Sequence, residues 1–180
     1  MSARYAVSTS KALEVILWLA NARAGIDIYH VVKAAFYADK YHVNRYGRPI
    51  FGDDYKADKY GPLGDVVYGL LRGNPLEILA LGGNGAVPFS VSKKKFLVSP
   101  DREANTKRLS ASDIEALREG LGFVTGKSFD DLVDISHEDR AYIAANGGRM
   151  RYEDILDPKD PTTRSVSLIW SMPRRLPRSR

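Results

Sequence analysis

The sequence predicts a mainly helical α+β fold, a compact helical domain that carries a small antiparallel β element. Apolar residues recur at helical spacing in several segments, and a Ser or Asp precedes most of them as a helix cap would. Short apolar stretches bounded by Gly and Pro lie between these segments. The composition of the 180 residues, 44% hydrophobic and 27% charged, is typical of a soluble globular protein with a substantial core.

Two helices are predicted at the start of the chain. The first begins after Ser8 or Ser10 and ends near Gly25. Asp27 caps the second, which continues up to Gly47, a residue that readily takes the left-handed conformation that ends helices. Because the connection is short, the two helices should be antiparallel neighbours. Their expected buried residues are Leu13, Ile16, Leu17 and Ala20 in the first helix and Ile28, Val31, Val32, Ala35 and Phe36 in the second.

A small hairpin and a third helix are predicted next. Pro49–Gly52 and Tyr55–Tyr60 have the pattern of short extended segments joined by a Gly-Asp-Asp turn. Pro62 suits the first turn of a helix, and this helix should stop before Pro75. In the second half of the chain, two strands are predicted at Val87–Val91 and Lys95–Val98. Three helices are predicted after them, one beginning after Ser110 or Ser112, one after Ser128 and one over Glu138–Ala145.

The chain is predicted to form a single domain over residues 1–156, followed by a Pro- and Arg-rich, partly flexible segment over residues 157–180. The apolar patch Val166–Met172 lies in that segment. Four arginines near the end, Arg174, Arg175, Arg178 and Arg180, carry most of the net charge of +5. A basic tail can contact nucleic acid or an acidic partner, but a solvated end is favoured.

The composition also indicates where the protein acts. The absence of cysteine fits a reducing cytoplasm. No apolar run is long enough to span a membrane, and the N-terminus lacks the layout of a signal peptide. We therefore expect a soluble, cytoplasmic protein without a membrane partner.

Few residues suggest catalysis or metal binding. Ser8–Lys11 spells Ser-x-x-Lys, but a helix cap is the favoured interpretation. The three histidines are too scattered for the local pattern of a metal site. Asp39 and His42 share a helical face, which favours an exposed ion pair over a catalytic base with its orienting group. The acidic pairs 53–54 and 130–131 suit a turn and a first helical turn. We expect no enzyme activity, cofactor, metal or small-molecule substrate.

The segment Phe36–Leu63 is rich in aromatic residues and poor in reactive ones. Tyrosine buries a large ring while its hydroxyl still forms hydrogen bonds, so such a segment is typical of a recognition surface. The tyrosines are Tyr37, Tyr41, Tyr46, Tyr55 and Tyr60, with Tyr29 just upstream.

Several motifs together resemble the Panacea, or SocA-like antitoxin, domain over roughly residues 10–145. They are Phe-Tyr-Ala-Asp on a helix at Phe36–Asp39, a Gly-x-Pro turn at Tyr46–Phe51 and an aromatic residue before Gly-Pro at Tyr60–Leu63. Leu109–Asp113 and Ser136–Glu138 agree with later elements of the family pattern. The chain departs from that pattern at Phe36, where leucine is usual, and at Tyr142, where tryptophan is common.

The resemblance implies a mostly helical antitoxin that neutralises a cognate protein toxin by binding it. It further implies a proteolytic adaptor that presents the toxin to an AAA+ protease such as ClpXP. The expected partner-binding residues are Tyr37, Tyr41, Arg48, Tyr55, Tyr60 and His137. One alternative is a nucleic-acid-binding regulator, motivated by the basic tail and Lys93–Lys95, although nucleic acid is not the expected partner. The other alternative is a hydrolase or nuclease that uses Asp39, His42 and Asp53-Asp54.

Overall fold

The structure is a computed structural model that describes residues 5–82, 85–159 and 163. It confirms the mainly helical α+β fold, with small antiparallel hairpins among the helices. The helices of the described residues are α1 Thr9–Ala22, α2 Ile28–Tyr46, α3 Asp65–Leu71, α4 Pro75–Ala80, α5 Ala111–Val124, α6 Phe129–His137, α7 Arg140–Ala145 and α8 Tyr152–Ile155. The strands are β1 Tyr55–Asp58, β2 Gly61–Gly64, β3 Phe89–Val91 and β4 Val98–Pro100.

Helix α2 runs through the middle of the fold, and its predicted ends are confirmed. The Asp27 carboxylate accepts a hydrogen bond from the His30 backbone N–H at 2.9 Å, as an N-cap residue should. Gly47 ends the helix with φ +72, and its N–H binds the Val43 carbonyl. These local signals therefore place a nineteen-residue helix correctly.

Helix α2 packs closely on α5 because small residues line the contact. A Cβ added at Gly120 would lie 2.3 Å from the Ala34 carbonyl oxygen and 2.7 Å from the Ala38 backbone nitrogen. Both distances are far below van der Waals contact, so only glycine fits at this crossing. The main hydrophobic core lies around this pair and contains buried residues of α1, α3 and α6 as well.

The first hairpin lies one segment later than the sequence predicted. Strand β1 pairs with β2, with Tyr55 opposite Gly64 and Asp58 opposite Gly61. The expected strand Pro49–Gly52 is wrong, because the Asp39 carboxylate binds the Ile50 backbone N–H at 2.7 Å in place of a strand partner. Pro62 consequently lies within β2, and α3 begins three residues later than expected, at Asp65.

The role of Pro75 and the bounds of the second hairpin also differ from the prediction. Pro75 opens α4, whose N-cap Asn74 accepts from the Leu76 N–H, and does not simply end the preceding helix. Strand β3 confirms the last three residues of the predicted strand Val87–Val91, and it pairs antiparallel with β4. The predicted strand Lys95–Val98 is wrong except for Val98, because residues 92–97 form the connecting turn.

The capping signals of the later helices are confirmed for α5 and α6. Ser110, rather than Ser112, caps α5 in a capping box with Asp113, and Ser128 forms the same motif with Asp131. Helix α7 begins at Arg140, after its cap Asp139, two residues later than expected. Helix α8 was not predicted, since four residues leave little periodic signal.

A second hydrophobic cluster joins α2, β1, α7 and α8, and it includes Phe36, Tyr55 and Tyr152. Asn44 of α2 accepts hydrogen bonds from the Asp157 backbone N–H at 2.6 Å and from the Thr163 hydroxyl at 3.0 Å. The start of the C-terminal segment therefore contacts α2. The predicted patch Val166–Met172 and the four terminal arginines lie outside the described residues. Within the described residues, no helix has the length and apolar character needed to cross a membrane.

Candidate functional site

The six predicted partner-binding residues do not form one surface. Tyr55 was expected at or near the surface, and this expectation is wrong: its side chain is only 2% exposed. Its hydroxyl donates to the Asp39 carboxylate at 3.0 Å, and its ring packs edge-on against Phe36. Tyr55 is therefore part of the core, because a buried carboxylate on the neighbouring helix satisfies its polar end.

Tyr37 is half-buried beside α5. Its ring lies 3.8 Å from the Phe123 ring, measured between centroids, and 5.2 Å from Phe36. Its hydroxyl is buried and has no hydrogen-bond partner among the described residues. Burial raises the pKa of this phenol, so Tyr37 remains neutral. Its ring contributes mainly to the packing of α2 on α5.

Tyr41 and Arg48 lie near the start of α5. The Tyr41 hydroxyl donates to Glu115 at 2.7 Å, and this bond raises the pKa of Tyr41 to about 12. Tyr46 donates to the other oxygen of the same carboxylate at 2.7 Å. The half-exposed Arg48 guanidinium lies 3.5 Å from Asp113. This face is polar, and its visible donors already have partners within the protein.

Tyr60 and His137 lie on another side of the fold. The His137 ring stacks on Tyr142 with centroids 4.7 Å apart, and its Nε2 lies 3.1 Å from the Lys59 carbonyl oxygen. Tyr60 is 46% exposed in the turn between β1 and β2. Of the six predicted residues, only Tyr60 lines the cavity described next.

An open cavity of about 510 Å³ lies between the N-terminal half of α2, the first hairpin, α3, α6 and the turn before β4. We call it the aromatic cleft. Its size is within the range of sites that bind small molecules or protruding side chains. Its lining residues are Asp27, Ile28, Tyr29, His30, Val32, Lys33, Asp58, Tyr60, Gly61, Leu63, Tyr68, Arg72, Lys95, Phe96 and Phe129.

Contacts between distant segments hold the walls of the aromatic cleft. The Phe129 ring lies 4.3 Å from Tyr29 and 5.4 Å from Tyr60 between centroids. The Tyr29 hydroxyl donates to the Tyr60 carbonyl at 3.1 Å. On the opposite side, the Ile28 N–H binds the Phe96 carbonyl at 3.0 Å, which attaches the turn before β4 to the start of α2. Phe96 itself has φ +54, a left-handed conformation that is uncommon for a bulky residue.

Lys33 lies deep in the aromatic cleft and is 1% exposed. Its Nζ donates to the Pro62 carbonyl at 3.0 Å and lies 5.1 Å from the centre of the Tyr29 ring. Burial lowers the pKa of Lys33 to about 7. A Cβ at Gly61 would lie 2.6 Å from this nitrogen, so glycine makes room for the amine. Within the described residues the Pro62 carbonyl is the only hydrogen-bond acceptor of Lys33.

The acidic groups of the aromatic cleft already have partners. Asp27 lies 2.8 Å from His30 Nδ1, and His30 Nε2 lies 3.0 Å from the Lys127 carbonyl. The hydrogen bond with Asp27 raises the pKa of His30. Asp58 lies 3.6 Å from the Lys56 amine. These groups therefore serve to cap α2 and to pair charges.

The four residues of the hydrolase alternative lie outside the aromatic cleft, and three of them are buried. Asp39 and His42 are both fully buried, so the expected exposed ion pair is wrong. His42 contacts the Arg48 carbonyl through Nδ1 at 2.7 Å and the Ser112 hydroxyl through Nε2 at 3.1 Å. Asp53 binds the backbone N–H groups of α3 at Val66 and Val67, while Asp54 is exposed. None of these four residues lines the aromatic cleft.

A buried network contains Asp39 and Asp53. The Tyr152 hydroxyl donates to the Asp53 carbonyl at 2.8 Å and lies 3.5 Å from the Asp39 carboxylate. Burial raises the pKa of Asp39 to about 7 and that of Asp53 to about 6. No group of His, Asp and Glu side chains within the described ranges is arranged to hold a metal ion.

Residues 31–142 match the family model described as antitoxin SocA-like, Panacea domain. The chain belongs to this family. The match covers more than half of the chain and runs from α2 to α7, so it includes Lys33, the first hairpin and α6. No curated protein and no solved structure matches the chain. The resemblance inferred from the motifs is thereby confirmed.

Sequence reasoning did not identify Lys33, Arg72 or Phe129 as site residues, and it named Lys95 only within the basic patch of the nucleic-acid alternative. One signal was available in α2, where Tyr29 and Lys33 lie four residues apart and must share a helical face. A lysine between the buried residues Val32 and Ala34 has to find a polar partner or an opening. The other three residues come from distant segments, and only the fold brings them to the same cavity.

Proposed function

We propose that this protein is an antitoxin that acts in the cytoplasm and neutralises a cognate protein toxin by binding it, without catalysis. Membership of the antitoxin SocA-like Panacea domain family supports an antitoxin role. The aromatic cleft supports binding as the means, because it offers a recessed apolar surface.

The observation that carries the proposal is the concentration of exposed rings around the aromatic cleft. Nine large hydrophobic residues of the described ranges are exposed, and four of them line this one cavity. Grouped exposed aromatic residues are costly in water and mark surfaces that bind other proteins. The four are Tyr60, Tyr68, Phe96 and Phe129.

Co-expression with the protein encoded by the neighbouring gene tests this proposal. We expect the chain to restore growth of cells that this protein poisons, and to co-purify with it. The double variant Tyr60→Ala/Phe129→Ala should weaken binding at least about tenfold, since central aromatic contacts carry much of the binding free energy. Ile143→Ala is the matched control, because Ile143 is exposed on α7 outside the aromatic cleft. A chain that neither co-purifies nor restores growth would contradict the antitoxin role.

The SocA-like resemblance also supports a role as a proteolytic adaptor, which we propose as the mode of neutralisation. An adaptor delivers the toxin to a protease such as ClpXP, so the toxin should disappear faster when the chain is present. Pulse-chase measurements in cells with and without ClpXP separate the two modes. If the chain still restores growth in cells lacking the protease, where the half-life of the toxin is unchanged, the toxin is neutralised by binding alone.

A further inference from the structure

We infer that the aromatic cleft recognises a segment of the partner in which a large apolar side chain lies beside carboxylates. The inference rests on the proposed function, because it names the chemistry of the surface that the toxin would present. The juxtaposition that carries it is a ring-lined cavity with the Lys33 amine in its wall and further unpaired cations at its edge.

Much of the lining of the aromatic cleft is apolar. Tyr29 and Phe129 form one wall of the aromatic cleft, and Val32 and Leu63 add aliphatic surface. Such a cavity gains free energy when an apolar group displaces water from it, by about 25 cal/mol for each Å² of apolar surface buried. An aromatic or leucine side chain is therefore the expected anchor.

The charged residues that line the aromatic cleft are not balanced. Within the described residues, Arg72 and Lys95 line the aromatic cleft without an ion-pair partner, whereas its acids Asp27 and Asp58 are each paired. The Arg72 guanidinium lies 5.8 Å from the centre of the Phe96 ring, which holds it at the edge. The uncompensated charge is positive, so the complementary occupant is anionic.

The Lys33 amine has hydrogen-bonding capacity that the protein does not use. A protonated lysine has three N–H donors, and Lys33 uses one of them on the Pro62 carbonyl. Because burial lowers the pKa of Lys33 to about 7, a nearby anion would favour its protonated form. Because Lys33 is 1% exposed, its remaining donors are already shielded from water, and an entirely apolar occupant would leave them unsatisfied, which is unfavourable. A carboxylate would accept from them and form a charge-assisted bond, so the amine favours an acidic group beside the apolar anchor.

The exposure of the rings around the aromatic cleft favours a protein segment over a free small molecule as the occupant. Tyr60, Phe96 and Phe129 are each more than two-fifths exposed, so an occupant confined to the cavity would leave much of their ring surface in water. Small-molecule sites usually enclose most of their ligand. A chain that crosses the cavity and continues over these rings covers more of this surface, and we commit to a protein segment.

Selection from a phage-displayed library of short random peptides on the full chain tests the inference. We expect enriched peptides to carry Leu, Phe or Trp next to Asp or Glu. Isothermal titration of one such peptide and of its Asn or Gln counterpart should give dissociation constants that differ at least about tenfold. Peptides enriched without acidic residues, or equal affinity of the two versions, would overturn the inference.

Two charge variants of the same turn provide a matched comparison. Lys95 lines the aromatic cleft and Lys93 does not, although both are exposed. Lys95→Glu should weaken binding of the acidic peptide about tenfold, and Lys93→Glu should change it less than about twofold. Equal effects of the two variants would overturn the inference. Lys33→Met should reduce the preference for the acidic over the amide peptide, because Arg72 and Lys95 remain, and an unchanged preference would also overturn the inference.

Toxin neutralisation separates this inference from the proposed function. If the chain neutralises the toxin and Lys95→Glu and Lys33→Met do so equally well, the inference fails and the antitoxin role stands. If acidic apolar peptides bind the aromatic cleft but the chain neutralises no toxin, the role fails and the recognition chemistry stands.

Discussion

Among the buried ionisable side chains of helix α2, Lys33 and Asp39 are in opposite situations. Asp39 accepts hydrogen bonds from the Ile50 backbone and the Tyr55 hydroxyl, and Tyr152 lies beside it in a closed core. Lys33 has a single acceptor and lines an open cavity. Both regions are rich in tyrosine, so the density of aromatic residues does not distinguish core from recognition surface. Unused hydrogen-bonding capacity beside open space does.

The tyrosine pair Tyr55 and Tyr60 gives the sharpest test of this comparison. Tyr55→Ala removes a core ring and should lower the free energy of unfolding by about 3–5 kcal/mol. Tyr60→Ala removes a ring that is 46% exposed, and it should change stability by about 0.5 kcal/mol or less. Urea denaturation of both variants measures the difference. Similar losses of stability would show that the two regions are not different in kind.

The pKa of Asp39 predicts how the closed network responds to pH. Burial raises it to about 7, so between the unfolded value near 4 and pH 7 the folded state holds a proton that the unfolded state has lost. The free energy of unfolding should therefore fall as the pH rises, by about 2 kcal/mol from Asp39 between about pH 5 and pH 7. Asp39→Asn cannot titrate and should remove this part of the slope.

Urea denaturation at several pH values measures both slopes. Asp54→Asn is the matched control, since it removes one negative charge from an exposed neighbour of Asp53. A slope in Asp39→Asn that equals that of the parent protein would mean that Asp39 titrates normally in the fold.

The pKa of Lys33 predicts the opposite trend at higher pH. Burial lowers it to about 7, so above this pH the unfolded state binds a proton that the folded state has released. Stability should therefore rise with pH until the unfolded pKa near 10, by about 2 kcal/mol between about pH 7 and pH 9. Lys33→Met should remove the rise, whereas Lys56→Met, a change at a half-exposed lysine of β1, should keep it. A rise that persists in Lys33→Met would contradict this origin.

The smallest expected effects come from single hydroxyl groups. Tyr152→Phe removes the buried bond to the Asp53 carbonyl and should cost about 1 kcal/mol. Tyr29→Phe removes an exposed bond to the Tyr60 carbonyl, which water can replace, so it should cost less than about 0.5 kcal/mol. Thermal unfolding of the two variants measures these differences, and an equal or reversed order would remove the contrast between core and cleft.

Local chemistry in the sequence was sufficient to place the starts of three helices, α2, α5 and α6. Asp27, Ser110 and Ser128 each cap the helix that follows, because a cap needs only a side-chain oxygen and an N–H two or three residues away. The family motifs were equally readable, since they consist of consecutive residues at short spacing. The starts of α2, α5 and α6, the fold class and the family membership therefore followed from local patterns, whereas the start of α3 and the existence of α8 did not.

The tertiary structure decided the strand pairing and the candidate site. Whether residues 49–52 form a strand depends on Asp39, a side chain eleven residues earlier that occupies the Ile50 N–H. The burial of Tyr55 depends on the same carboxylate. The aromatic cleft joins Lys33, Tyr60, Phe96 and Phe129 across much of the chain. Contacts at such separations depend on how the helices pack, and no local periodicity records that.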